Sequence, residues 1–192
     1  MDQRYWDELY GSRDQLFSGN PNGVLVTEVA GMTPGQALDV GCGEGADAHW
    51  LASRGWMVTA VDISRTALDR AAKLNAGDRV SWTHADLAVT PPPARAFDLV
   101  SVQYFPLTKE NSSVHGLLAA VAPGGTLLVV GHDPADLPAE FDRDDYHWPS
   151  EIAATLGDEW KVLVDETRLR TTPPPPGSHH VRDTVLRAEK RH

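Results

Sequence analysis

Three glycines at alternate positions, Gly41, Gly43 and Gly45, stand at the end of a short apolar run, Ala37-Leu38-Asp39-Val40. A helix-like segment starts at Ala46 and closes at Arg54-Gly55; a second apolar run, Met57 to Val61, then ends in Asp62. Strand, glycine loop, helix, strand and acid, in that order, make the first half of a nucleotide-binding α/β unit. The glycines let the backbone turn sharply and approach a ligand where a Cβ would clash. A carboxylate at the end of the second strand can accept two hydrogen bonds from a ribose diol.

The glycines alone do not choose the nucleotide. Gly41, Gly43 and Ala46 also satisfy the dinucleotide pattern G-x-G-x-x-G/A, so an NAD(P)-dependent oxidoreductase is one reading. Three features point elsewhere. Asp39 places an anion in the approach to the loop, which suits a ligand with a positive end better than a pyrophosphate. Gly45 extends the pattern to D-x-G-x-G-x-G. A dinucleotide enzyme usually also needs a second nucleotide half and a substrate domain, and 192 residues hold too little for both. Leu38-Asp39-Val40-Gly41-Cys42-Gly43-Glu44-Gly45, followed by Val61-Asp62-Ile63-Ser64, resembles the class I S-adenosylmethionine-dependent methyltransferases. Ala122-Pro123-Gly124-Gly125-Thr126-Leu127-Leu128-Val129 resembles the turn before that family's fifth strand. The leader, Trp6 to Tyr10 through Ser18 to Asn22, is similar to that of small bacterial members of the tellurite-resistance and thiopurine (thiol) methyltransferase groups.

The resemblance implies a three-layer Rossmann-like α/β sandwich around a seven-stranded, mostly parallel sheet whose last strand is antiparallel. The length fits one domain: a leader over 1–23, either a helix packed on the core edge or a lid over the cofactor, and an α/β core over 24–192. Helices are expected over Tyr5–Tyr10, Val24–Ala30, Ala46–Ser53, Arg65–Asn75 (with Ser64 as N-cap), Asn111–Val121 and Glu151–Leu156. Strands are expected over Arg79–His84, Phe97–Val102, Thr126–Val130, Trp160–Leu169 and Val181–Ala188. Pro123-Gly124-Gly125 reads as a turn, and the proline-rich Thr171–Ser178 as a loop.

Charge and cysteine content narrow the partners. The net charge of −10, from 27 acids and 17 bases, argues against a nucleic-acid substrate. Cys42 is the one cysteine, so an intramolecular disulfide and a cysteine-based metal site are both excluded. A small residue filling a tight loop is the plainer role for it. The first residues lack the apolar core of a signal peptide, and no run reaches membrane-spanning length. A cytoplasmic monomer or homodimer acting on a small molecule, away from membranes, is the expectation.

By the resemblance, Asp39, Gly41, Gly43 and Gly45 serve the methionine end of S-adenosyl-L-methionine (S-adenosyl-L-homocysteine as product). Asp62 takes the ribose hydroxyls, Ile63 the adenine face, and Asp86 with Leu87 the adenine edge; Asp86 also reads as a turn residue. Trp6 belongs to the aromatic leader that folds over the cofactor, and Gln103 and Tyr104 close the floor beneath the sulfur. Tyr104, His132 and Asp133, at carboxyl ends of strands, are the expected catalytic or acceptor-facing residues. His147, His179, His180, Arg168 and Arg170 are further candidates, the arginines either orienting an anionic substrate or pairing with surface acids. Nothing gives metal-ligand spacing, so no metal is assigned. No N-P-P-Y-like tetrapeptide follows the fourth strand, where Gln103-Tyr104-Phe105-Pro106 stands. That departs from enzymes that methylate amino groups of nucleic acids or protein glutamine. Methyl transfer to a small molecule, with a thiol or a metalloid oxyanion as the family-level expectation, is the expected activity. A protein that binds S-adenosylmethionine without transferring its methyl group is the other alternative.

Overall fold

Apolar strands alternating with short helices can bury both sheet faces only if the helices cross from strand to strand, which makes the strands parallel. The computed structural model describes residues 2–74, 77–111, 113–138, 141–171 and 180–192. Its central strand β1 (Gln36–Val40) lies between β2 (Met57–Asp62) and β4 (Phe97–Gln103), parallel to both. β3 (Val80–His84) adds parallel to β2, and β5 (Val121–His132) parallel to β4. The chain then reverses. β6 (Trp160–Leu169) forms one edge, and β7 (Arg182–Lys190) inserts antiparallel between it and β5. The seven-stranded order is β3-β2-β1-β4-β5-β7-β6, as expected for the fold class.

Among the described residues six α-helices accompany the sheet: α1 (Gln3–Gly11), α2 (Gly23–Val29), α3 (Ala46–Ser53), α4 (Arg65–Lys73), α5 (Ser113–Ala120) and α6 (Pro149–Thr155). One core cluster packs α2 and α3 on one face through Leu25, Leu51, Trp56 and Leu128. The other packs α5 and α6 through Leu117, Val102, Leu127 and Ile152. Ser64 caps α4 as expected, accepting from Ala67 N–H at 3.2 Å.

Most helix boundaries differ from the sequence reading by a residue or two, as frayed ends do. The fifth strand differs more. Pro123-Gly124-Gly125 lies inside β5 rather than before it: Val121 pairs with Phe97, pairing resumes at Thr126 with Leu99, and the residues between bulge out. A bulge is where a strand tolerates a proline, which has no ladder N–H, and a glycine at φ 76°. Residues 139–140, in the irregular stretch before α6, and 172–179, most of the proline-rich loop with His179, lie outside the described residues.

Candidate active site

At the carboxyl end of β1 the chain makes three left-handed turns, with φ of 66°, 52° and 84° at Gly41, Gly43 and Gly45. Residues with a Cβ rarely adopt that conformation. The loop is tied to β2. Gly41 N–H and Cys42 N–H donate to the Val61 carbonyl at 2.8 and 3.0 Å, and Gly43 N–H donates to Asp62 Oδ2 at 2.8 Å. Asp62 Oδ1 accepts from Ser64 N–H at 2.8 Å. One buried carboxylate thus joins the glycine loop to the start of α4, and burial raises its pKa against the pull of these bonds. Cys42 is buried in the loop, its thiol pushed up by burial, as a small filling residue would be.

Two more carboxylates sit beside it. Asp39 is buried, is hydrogen-bonded by the Ala48 backbone, and keeps Oδ2 without a partner among the described residues. Asp47, in the first turn of α3, accepts from Asn22 N–H and from Asn22 Nδ2, both at 2.7 Å. Burial raises both pKa values, and for Asp39 the charges of Asp47 and Asp62 add to it. Among the described residues no ion pair reaches any of the three acids.

The leader lies across this loop. Tyr10 is buried with its hydroxyl against Gly43, where an added Cβ would stand 2.7 Å from it. Half-buried Trp6 packs between Tyr5 and Tyr10. Asp7 Oδ1 accepts from Ser64 Oγ at 2.7 Å and Thr66 N–H at 3.1 Å. Glu44 accepts from Leu16 and Phe17 N–H and pairs with Arg70 at 2.9 Å. Further along the same sheet edge, Ile63 is half-buried and Leu87 buried. Exposed Asp86 accepts from Ala88 N–H at 2.9 Å, the turn role that its position also suggested.

Beyond β4, a second polar group gathers. Tyr104 has a left-handed φ of 54°, unusual for an aromatic residue, and its N–H donates to Val130 O at 2.8 Å. Its hydroxyl donates to Asp183 Oδ1 at 2.8 Å. The same oxygen accepts from Arg170 at 3.1 Å, and the Arg170 guanidinium lies 5.0 Å from the Tyr104 ring centre. The His132 ring stacks on Tyr104 at 4.7 Å and on His180 at 3.9 Å. Burial, with the charges of His180 and Arg170, lowers the His132 pKa to about 4, so the ring is neutral at pH 7. Its Nδ1 is buried without a partner among the described residues. Gln103 donates to Ser101 Oγ at 3.1 Å while its Oε1 is buried without such a partner.

Other candidates are engaged elsewhere. Asp133 accepts from Ala135 N–H and pairs with Arg182 at 2.8 Å, a structural use of the carboxylate. His147 faces Lys109, Glu151 and His115, with its N–H on Leu107 O, apart from the His132 stack. Arg168 holds Glu28 at 2.7 Å, and Arg187 holds the same carboxylate at 3.2 Å. Both arginine candidates pair with acids: Arg168 also holds exposed Glu166 at 3.1 Å, as a surface pair would, whereas Glu28 and Asp183 are buried. Among the described residues no group of three or more His, Cys, Asp or Glu side chains could hold a metal ion. No helix there is long and apolar enough to cross a membrane.

A family model for a methyltransferase domain matches residues 37–125. An uncharacterized methyltransferase of Mycobacterium tuberculosis (strain ATCC 25618 / H37Rv) is 33% identical over 150 residues, 77% of this chain and 74% of that protein. The chain is a class I S-adenosylmethionine-dependent methyltransferase. It is also 28% identical over 204 aligned positions to the 27-O-demethylrifamycin SV methyltransferase of Amycolatopsis mediterranei, covering 97% of this chain and 72% of that one. The N-methyltransferase NodS of Bradyrhizobium japonicum, solved with S-adenosyl-L-homocysteine, shares the fold, with a TM-score of 0.75 at 16% identity over 99% of this chain and 98% of that chain.

The residues of this methyltransferase fit its cofactor. An orphaned Asp39 oxygen and three carboxylates without a basic partner suit a cationic ligand and would repel a pyrophosphate. With the family shown, the dinucleotide reading falls away. Two residues of the site escaped the sequence reading. Asp47 sits one turn past the glycines, where an acid reads as an ordinary helix-start residue. Asp183 begins β7. The rule that ligands meet the carboxyl ends of strands holds for parallel strands, and an antiparallel strand brings its amino end to that edge instead.

Proposed function

We propose that this methyltransferase methylates a hydroxyl oxygen of a small-molecule acceptor, with His132 receiving the acceptor's proton. The observation that carries this reading is the neutral His132 ring, its Nδ1 buried and unpartnered beside Tyr104 at the ligand edge of β5. When bound, S-adenosylmethionine supplies a methyl group already activated on a sulfonium. The chain's own tasks are alignment, exclusion of water and management of one proton. Asp39, Asp62 and the glycine loop would hold the cofactor, Trp6 and Tyr10 would cover it, and Gln103 and Tyr104 would floor the acceptor side. As the new C–O bond forms, the hydroxyl becomes an oxonium, acidic enough to give its proton even to a weakly basic imidazole. The name of the Amycolatopsis relative, which places a missing methyl group on an oxygen, supports a hydroxyl acceptor.

A thiol or metalloid oxyanion, the narrower expectation, has only the leader residues behind it; such acceptors react as the thiolate or oxyanion and need no strong general base. The two separate in one experiment. A panel of phenols, enols, thiols and oxyanions is offered with labelled S-adenosylmethionine to the wild type and to His132→Gln. Hydroxyl methylation that falls by roughly 10²–10⁴-fold in the variant, at unchanged S-adenosylhomocysteine affinity, is the expected result. Turnover confined to thiols or oxyanions and indifferent to the substitution would reject it, and binding without any turnover would favour a non-catalytic role.

A further inference from the structure

Asp183 starts the antiparallel strand at the ligand edge, in register with His132 on one side and Arg168 on the other. It is 2% exposed, and one of its oxygens takes both the Tyr104 hydroxyl at 2.8 Å and Arg170 at 3.1 Å. The Arg170 side chain is itself 9% exposed, so this is an ion pair inside the protein. Burial raises the Asp183 pKa while the Tyr104 hydroxyl and Arg170 pull it back, and in its ion pair with Arg170 the carboxylate can only accept. The one proton of the phenol is therefore committed to Asp183, and what the Tyr104 oxygen still offers is lone pairs. Beside it, His132 Nδ1 is unpartnered among the described residues, and in the Nε2–H tautomer it too is an acceptor. The strained Tyr104 backbone, the Arg170 contact and the His132 stack converge on holding this ring in one place.

We propose that Asp183 is a positioning residue that fixes the hydrogen-bond polarity of the acceptor pocket, making Tyr104 an acceptor-only group that admits molecules bringing their own hydroxyl proton. This rests on the reading of the chain as a small-molecule methyltransferase acting on a hydroxyl, and it names the residue that enforces that choice. A pocket built from hydrogen-bond acceptors leaves them unpaired when a ligand without a donor enters, and this is a strong source of discrimination. The same polarity rejects the methylated product, which has lost the proton that admitted the substrate.

The test uses β-naphthol and its methyl ether, which differ by the methyl group in question, titrated by fluorescence into the intact protein saturated with S-adenosylhomocysteine. The wild type should bind β-naphthol about tenfold more tightly than the ether, the equilibrium equivalent of one hydrogen bond. In Asp183→Ala the phenol loses its acceptor and its proton can turn outward, so the ratio should fall. Tyr104→Phe removes the hydroxyl while leaving Asp183 paired with Arg170, and it should lower the preference to the part that His132 supplies, even if the alanine variant folds poorly. The S-adenosylhomocysteine affinity of each variant, measured alongside, reports separately on the cofactor half of the site. A merely structural role would lower stability and leave the ratio intact. A wild-type ratio near one, including binding of neither probe, or a preference that neither substitution diminishes, would overturn the proposal. Failure of the hydroxyl reading would show separately, as turnover confined to thiols or oxyanions.

Discussion

Asp7 on the leader and Ser64 at the head of α4 are 57 residues apart in sequence, yet their side chains meet at 2.7 Å. Asp7 also accepts from Thr66 N–H, so a residue of α1 caps α4 from outside. Ser64 follows two residues after Asp62 and donates to it through its backbone N–H. The leader is thereby joined through Ser64 to the acid expected to hold the ribose.

Removing that cap should loosen the leader. Asp7→Ala should cost roughly 1 kcal/mol of stability, the ordinary value of a helix cap. Faster amide exchange across α1, with the sheet unaffected, is the measurement. The Ser64 hydroxyl foremost holds the Asp7 pKa down, to about 2. Its contribution is therefore present above the ordinary carboxylate value of 3.8 and disappears as pH falls through about 2.

Gly43→Ala should displace the leader by a different route. The added methyl group stands 2.7 Å from the Tyr10 oxygen, and a φ of 52° suits alanine poorly. A loss of about 1–2 kcal/mol is expected from the backbone alone. Shortening Tyr10 to alanine in the same chain removes the collision but not the backbone strain. A double-mutant cycle read by thermal unfolding should show positive coupling between the two sites, whereas additive losses would mean that they do not touch.

Asp62→Ala should weaken S-adenosylhomocysteine by roughly 1–3 kcal/mol, the cost of unpaired polar groups on the ligand. It also leaves Gly43 N–H and Ser64 N–H without their acceptor, so the unliganded protein should lose stability as well. Calorimetry with unchanged affinity would remove Asp62 from the ribose.

Burial raises the Asp39, Asp47 and Asp62 pKa values above the usual carboxylate value of 3.8, so the ligand-free fold holds their protons more tightly than the unfolded chain does. Their stabilising contribution is complete below that value and is lost as pH rises through the raised ones. Asp39→Asn should therefore flatten the fall of Tm with pH and raise Tm at neutral pH. The sulfonium reverses the preference. S-adenosylmethionine should bind more tightly as pH rises and displace protons, more of them than the uncharged thioether of the product does. The same variant should lose about 1–3 kcal/mol of S-adenosylmethionine affinity, in keeping with a hydrogen bond to a charged group. Titration in buffers of different ionisation enthalpy counts the protons.

The cofactor half was legible in the sequence because its signals are local. Glycines that need positive φ, a strand-end acid and the Ser64 cap each announce themselves within a few residues. The acceptor half draws on residues far apart in the chain. Tyr104 meets Asp183 across 79 positions, and no periodicity links the two. From the sequence Arg170 suits an anionic substrate or a surface acid, and nothing local shows that its partner, Asp183, is buried. The bulge at Pro123 was missed for a related reason: proline and glycine mark a turn and an interrupted strand alike.

The placement of β7 has a consequence for how the chain comes off the ribosome. β6 is made first, yet its one strand neighbour is β7, the last in chain order. Until β7 emerges, β6 has nowhere to dock and β5 is an open edge bearing Leu128 and Val130, residues that end up almost fully buried. That nascent edge is a ready template for pairing with another copy. The strand that carries Asp183 is also the one that closes the sheet against aggregation.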